Sequence, residues 1–284
     1  LRNGLNRIIP ERLKSWVPWL RPQPQKTQQP ALPPKVVVQK TDQVPLRVVS
    51  FIKQSEGAYG TVYLAQLTDG RQVMIKQAKQ YESAEGYVRN GAQFLKNLEG
   101  IPNTPRFISD QIEGLPNDSY AVAMTIVPGV SLHDKTNTET RAQSAVRLQR
   151  LKTSEKLEIL RQLVVFIKSF REHFIDHNDL QLQNVMVFYD QERKIRVGLV
   201  DFDDGLIALN AEVYRKLNPD GSSADAGYLA VIIIPNLFIN QSLIPQSVKN
   251  WIHQSDVFEV SGFEEALRAV SDTEIRNLEE KRIA

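Results

Sequence analysis

Cysteine is absent from all 284 residues, which removes disulfides, thiolate nucleophiles and cysteine-bound zinc or iron–sulfur centres from consideration. Histidine is scarce: the four, His133, His173, His177 and His253, are scattered singly and form no metal-ligating pattern. A dominant charge is missing too. The 35 basic against 33 acidic residues leave a net +2, so nothing global calls for a nucleic-acid partner. No apolar run is long enough for a bilayer; the longest, around Leu229–Ile239, is interrupted by Pro235 and Asn236. No internal repeat is present. What is there, 42% hydrophobic and 24% charged residues, is an ordinary globular composition. A compact chain of this size buries roughly 70–75% of its unfolded surface, enough for a core without staples.

The first 45 residues differ from the rest. Pro18, Pro22, Pro24, Pro30, Pro33 and Pro34 lie among Gln and Lys, which favours extended, solvated backbone. Before them Leu5, Ile8, Ile9, Leu13, Trp16 and Leu20 alternate with Arg2, Arg7, Arg12, Lys14 and Arg21, a short basic amphipathic segment. It reads as a helix for a membrane surface or a partner, or as one packed on the main domain or frayed. The sequence begins with Leu1 rather than Met, so an upstream targeting signal would lie outside it.

From Leu46 to Val127 the pattern predicts strands at Arg47–Ile52, Thr61–Gln66, Gln72–Gln77, Arg106–Gln111 and Ala121–Ile126. One helix, Ser83–Leu98, interrupts them, with Val88, Ala92 and Leu95 along a face. After Pro128-Gly129 the chain turns helical. Thr153–Phe174 carries Leu157, Leu160, Leu163, Val164, Ile167 and Phe170 on one stripe, with Thr153 or Ser154 as N-cap. Strands at Val185–Tyr189 and Arg196–Val200 follow, then helices to the end. The expected fold class is α+β, with a leader at 1–45, a small antiparallel sheet lobe at 46–127 and a mainly helical lobe at 128–284.

The most specific chemical signal is acidic. Asp179 and Asn184 stand five apart in the loop after a helix, and the strand Gly198-Leu199-Val200 ends in Asp201-Phe202-Asp203-Asp204-Gly205. Two such segments can converge on one hard cation, and magnesium, held by few protein oxygens plus phosphate oxygens, suits that inventory. A second signal is Gly57-Ala58-Tyr59-Gly60-Thr61-Val62, a glycine hairpin between two predicted strands. Glycines let backbone N–H groups approach phosphate oxygens without a side chain in the way. Fourteen residues after Val62, Lys76 ends the apolar strand Val73-Met74-Ile75.

These elements, in this order over Leu46 to Ile239, resemble the protein kinase superfamily: glycine loop, strand lysine, catalytic loop and the D-F-G element. The resemblance implies a two-lobed fold using ATP and Mg2+. It makes Asp179 the base or orienter for the attacking hydroxyl, Asn184 and Asp201 the metal ligands, and Lys76 the partner of the α- and β-phosphates. Gly57, Tyr59, Gly60 and Val62 would cover the nucleotide. The segment from Val122 to Leu132 is similar to the linker between kinase lobes, which puts Met124 beside the adenine pocket and the backbones of Thr125 and Val127 on the adenine edge. Asp225 would support the catalytic loop from a buried helix.

Several positions depart from the pattern. Ser55 stands for the first loop glycine, Asn178 for the catalytic-loop arginine, and Asp203 for the D-F-G glycine. Gln181 replaces the lysine usual in serine/threonine kinases. Counting back along the helix places Gly91, not an acid, where the lysine-pairing glutamate belongs; Glu85 on the apolar side is the preferred substitute and Glu82 another. Only 24 residues separate Asp201 from Asp225, with no A-P-E-like sequence, so phosphorylation-controlled ordering of that stretch is not expected. The expected activity is an atypical Ser/Thr protein kinase with a protein substrate, in the cytoplasm or as a secreted effector in a host cytosol. A small-molecule kinase of the aminoglycoside or choline type, favoured by Asp203-Asp204 and Gln181, and a nucleotide-binding pseudokinase scaffold are the alternatives.

Overall fold

The structure is a computed structural model, and residues 44–81, 83–133, 138–207, 223–254 and 259–283 are described. All of the leader except Val44 and Pro45 lies outside the described residues, as do Glu82 and most of the stretch between Asp201 and Asp225.

The sheet half follows from period-two patterning. Strands β1 (Leu46–Glu56), β2 (Gly60–Leu67) and β3 (Gln72–Ala78) form an antiparallel meander, with Val62 opposite Lys76 and Ala65 opposite Val73. Successive side chains in a strand point to opposite faces. Ala65, Leu67, Val73 and Ile75 therefore share one face, where they join Ala121 and Ala123 in a core cluster. Val62, Met74 and Lys76 take the other. Next comes helix α1 (Ala84–Asn97), whose Val88, Gly91, Ala92 and Leu95 recur at helical spacing and are buried.

The predicted strand Arg106–Gln111 is broken in two. β4 (Phe107–Ser109) ends where the Ser109 hydroxyl accepts the Gln111 N–H at 3.0 Å, a side-chain turn that redirects the chain. β5 (Ile112–Glu113) then pairs in parallel with β1 at the far edge. β6 (Ala121–Met124) stops short of the expected Ile126 and completes the six-stranded order β4-β6-β3-β2-β1-β5.

After Gly129 the chain enters the helical half through β7 (Val130–Ser131) and α2 (Thr138–Arg150). Helix α3 (Thr153–Glu172) is its core element, and all six residues of its predicted apolar stripe are buried. Its N-cap is Lys152 rather than Thr153 or Ser154. The Glu155 carboxylate folds back to accept the Lys152 N–H at 2.8 Å, and the Thr153 N–H is taken by Glu279 at 2.9 Å.

Strand β8 (Ile175–Asp176) leads into a loop and a single 3-10 turn (Leu182–Asn184), then β9 (Val185–Tyr189) pairs with β10 (Ile195–Leu199) on one side and β7 on the other. β11 (Leu206–Ile207) returns to pair with β8. The buried segment that follows comprises α4 (Ala224–Tyr228), a π turn (Leu229–Ile233) and α5 (Ile234–Leu237). Pro235, at the start of α5, has no N–H to give, which accounts for the widened turn before it. α6 (Gln246–Gln254), α7 (Val260–Arg268) and α8 (Asp272–Ile283) close the fold, with Trp251 tilted on Phe263 at 4.4 Å. Among the described residues no helix is long and apolar enough to cross a membrane.

Candidate active site

A cavity of about 540 Å³ opens between the sheet face that carries Lys76 and the β9–β10 hairpin of the helical half. That volume suits a nucleotide-sized ligand. One end is apolar, lined by Val62, Met74, Val122, Met124, Val127 and Met186. The chain has three methionines, and all of them line this cavity, an adaptable surface for a flat ring. The other end is polar, with Lys76, Asn184, Asp201 and Asp203.

Asp179 and Asn184 sit on the loop between β8 and β9. The Asn184 amide donates to the main-chain oxygen and to Oδ2 of Asp179, both at 2.8 Å, while Gln181 donates to Oδ1. Asp179 is half-buried, beside the cavity wall rather than in it. Burial raises its pKa to about 6, with Gln181 working the other way. The loop is held from below as expected of Asp225, whose carboxylate accepts the N–H groups of His177 at 2.7 Å and Asn178 at 3.0 Å. Asn178 has the left-handed φ of 60° that such a bend requires. His177 is fully buried, and Nδ1 accepts the Asp179 N–H at 3.3 Å, so Nε2 carries the proton donated to Val200 O at 3.1 Å. Desolvation lowers its pKa to about 4.

Asp201 leaves β10 with φ 66°, a strained backbone more readily tolerated by Asp than by most residues, and its side chain is 42% exposed toward the cavity. Lys76 Nζ lies 2.5 Å from Asp201 Oδ1 and 2.6 Å from Asp203 Oδ2. Burial disfavours the ammonium, but the two carboxylates outweigh it and its pKa is raised. The Asp203 contact is close but poorly directed, leaving Oδ2 without a well-angled hydrogen bond. Burial pushes the Asp203 carboxyl up to about 6, against the pull of Lys76.

Three sequence expectations are corrected. Glu85 does not reach Lys76: it is exposed and paired with Arg89 at 2.7 Å. Asp203, absent from the candidate ligands, is the lysine's second anion; the signal was present in the sequence as an acid in place of a glycine. Tyr59 does not line the cavity. Its ring stacks on Tyr87 of α1 at 3.6 Å, tying the hairpin to the helix. Gly57, Gly60 and Val62 do line it, and a Cβ on Gly60 would lie 2.9 Å from Gln77 O, so only glycine lets the hairpin settle over the Lys76 stem. Met124, Thr125 and Val127 lie along the opposite wall. The Thr125 N–H is engaged by Arg106 O at 2.9 Å, which leaves its carbonyl for any ligand.

Among solved structures, the crystal structure of Rad53 kinase domain and SCD2 matches with a TM-score of 0.52, covering 80% of this chain and 88% of that one at 18% identity. The chain has a protein-kinase-like fold. In sequence, this kinase-like chain is 27% identical over 173 residues to a putative ribosomal protein S6 kinase alpha-2 of Caenorhabditis elegans, which covers 58% of the chain. It spans about a fifth of that curated relative, 20% of its length. No family model matches.

The donor set fits magnesium. Among the described residues no group of three or more His, Cys, Asp or Glu could hold a metal unaided. One carboxylate and one amide oxygen facing a cavity suit an ion that brings phosphate oxygens and waters with it. Because the Asn184 amide nitrogen is spent on Asp179, its Oδ1 is the atom that would be left for such an ion.

Proposed function

We propose that the protein transfers the γ-phosphoryl group of Mg-ATP to a serine or threonine hydroxyl of another protein. The observation that supports this most is the meeting of Lys76, Asn184 and Asp201 at the polar end of one cavity, with Asp179 beside them. The apolar end receives the base, with Met74, Met124 and Met186 around it. The Thr125 carbonyl and the Val127 backbone meet the adenine edge. Gly57 and Gly60 cover the phosphates, and Lys76 neutralises the α- and β-phosphates. Magnesium, on Asn184 Oδ1 and Asp201, would screen the charge that develops on the transferred group.

In the transfer, the acceptor oxygen bonds to the γ-phosphorus as the bond to the β,γ-bridging oxygen breaks, and ADP leaves with that electron pair. The hydroxyl proton passes to the Asp179 carboxylate. Gln181 and Asn184 fix that carboxylate, and each of its oxygens keeps a lone pair for the incoming proton. Positioning and charge neutralisation supply most of the acceleration in such a site.

A protein acceptor is favoured over a small cationic one because Asp203 is spent on Lys76, which leaves only Asp204 of the Asp203-Asp204 pair exposed. The kinase named among the relatives points the same way. The test is purified chain with radiolabelled ATP and magnesium, with and without a generic protein substrate. Label is expected on protein. Label confined to small hydroxyl compounds overturns the protein acceptor, and failure to bind Mg-ATP overturns the reading and leaves a scaffold.

A further inference from the structure

An ammonium that is to hold phosphates must stay charged and aimed as the nucleotide enters, which requires a fixed anion that does not leave with the metal. Two acids on the sheet side are committed elsewhere: Glu85 to Arg89 at 2.7 Å, and Glu56 to Lys79 at 2.9 Å. The two acids that pair with Lys76 differ in exposure, Asp201 at 42% and Asp203 at 7%. Asp201 is free to turn to a cation; Asp203 is walled in.

The wall that admits Asp203 is a gap in α1. A Cβ on Gly91 would lie 2.5 Å from Asp203 Oδ1 and 3.6 Å from Asp203 Cα, so no larger residue fits at 91 while this carboxylate is in place. One turn of the helix then clamps the segment. The Asn90 amide donates to Asp203 O at 2.7 Å and to Gly205 O at 3.1 Å, and Phe94 stacks on Phe202 at 5.1 Å.

We infer that Asp203 is the permanent anionic anchor of Lys76 and that Gly91 is the cut-out that admits it, so that α1 supplies space and a clamp where a charge would otherwise be needed. Asp203 is thus a positioning residue acting through Lys76. The two departures, glycine on the helix and acid after Phe202, are one exchange: the anion has moved from α1 to the segment that follows β10. Because the Lys76–Asp203 pair contains no α1 side chain, displacement of α1 would act on it through Asn90 and Phe94 rather than by removing the anion.

This inference rests on the nucleotide reading above, and the experiment separates the two. Magnesium-dependent ATP affinity and melting temperature are measured on the full chain for wild type, Asp203→Asn, Asp203→Gly, Gly91→Glu and the double variant Asp203→Gly with Gly91→Glu. Loss of a charge-assisted contact predicts roughly 10- to 150-fold weaker ATP binding for Asp203→Asn, whose side-chain volume is unchanged. Gly91→Glu alone, colliding with Asp203, weakens binding as well. The double variant, with the collision removed and an acid returned to the helix, recovers at least tenfold over Asp203→Gly. No ATP binding by wild type overturns the nucleotide reading and this inference with it. If wild type binds while Asp203→Asn binds within twofold of it, the anchor is wrong and the reading stands. A double variant no better than Asp203→Gly overturns the exchange; should Asp203→Gly not fold, folding of the double variant is itself the rescue and its failure the refutation.

Discussion

The Asn184 amide nitrogen lies 2.8 Å from both the main-chain oxygen and Oδ2 of Asp179, so one side chain braces the proposed base while its Oδ1 is left for the proposed metal. The two proposed roles are thereby joined in one mechanical unit. The unit stands on Asp225, whose carboxylate carries the two N–H groups at the loop's start. Chemistry at the cavity and packing beneath it meet at this loop.

Asp179→Asn should lower the transfer rate on the order of 100- to 10,000-fold, because the amide cannot take the hydroxyl proton. Nucleotide affinity should be little changed. The wild-type rate should also depend on pH with a definite sign. Burial raises the Asp179 pKa to about 6, so below that value the base form is the minority and the rate climbs with pH, levelling above it. A bound cation nearby favours the carboxylate, which puts the inflection at or below about 6. A flat profile from pH 5 to 8 together with an active Asp179→Asn enzyme would leave this residue only a structural part.

Asp201→Ala and Lys76→Ala should separate metal binding from phosphate binding. The first removes the more exposed ligand and should abolish magnesium-dependent transfer while the melting temperature stays near wild type. The second removes a charge-assisted contact, costing roughly 10- to 150-fold in rate if it is felt in the transition state. It also leaves Asp201 and Asp203 facing one another without a counter-ion, so it should lower stability as well. Calorimetric titration with magnesium and ATP decides between them. An Asp201→Ala protein that still transfers phosphate removes the metal role.

The local signals were legible in the sequence, and the long-range exchanges were not. The α3 stripe and β2–β3 alternation could be read because the periodicity of a single element dictates which side chains are buried. Asn184 and Asp201 could be grouped because they flank paired strands, and Asp179 because it stands five residues before Asn184 in the same loop. The anion opposite Lys76 could not be identified, since the loss at Gly91 is compensated at Asp203, far along the chain. Spacing within α1 offered Glu85 instead. The place of Tyr59 is hidden for a similar reason: its partner Tyr87 lies on another element, and nothing in the hairpin itself says that the ring turns to the helix. The break between β4 and β5 turns on one hydroxyl, Ser109, in a run whose composition reads as a continuous strand.

His177 should make stability fall as acid is added. Its folded pKa is depressed to about 4 while the unfolded value is near 6.5, so between these the unfolded chain binds the extra proton. Buried Asp225, raised to about 7 by desolvation first and by Asp176 second, has the opposite sign: its folded form holds the proton longer, and stability rises as pH falls from 7 towards 4. The raw stability curve mixes the two. The gap between wild type and His177→Gln isolates the imidazole, and it should narrow by roughly 2–3 kcal/mol from pH 7 to pH 4.5 in denaturant titrations. A gap that does not move with pH means His177 is not held neutral.

Gly129 is the joint between the two halves, and its replacement should cost more than backbone strain alone. Its φ is +101°, and a Cβ there would lie 2.3 Å from Val187 O, on the strand that pairs with β7. Gly70, at φ +85° in the β2–β3 turn, has nothing within 4 Å of that position. Gly70→Ala therefore pays for strain only, about 1–2 kcal/mol. Gly129→Ala adds a collision with main chain that cannot rotate away, and relief means separating β7 from β9. Met186 is opposite Ser131 in that pairing and lines the cavity, so the same shift should weaken ATP binding, whereas Gly70→Ala leaves it unchanged. Equal destabilisation by the two substitutions in urea would show that the joint yields freely, and unchanged ATP affinity in Gly129→Ala would show that the cavity floor does not depend on it.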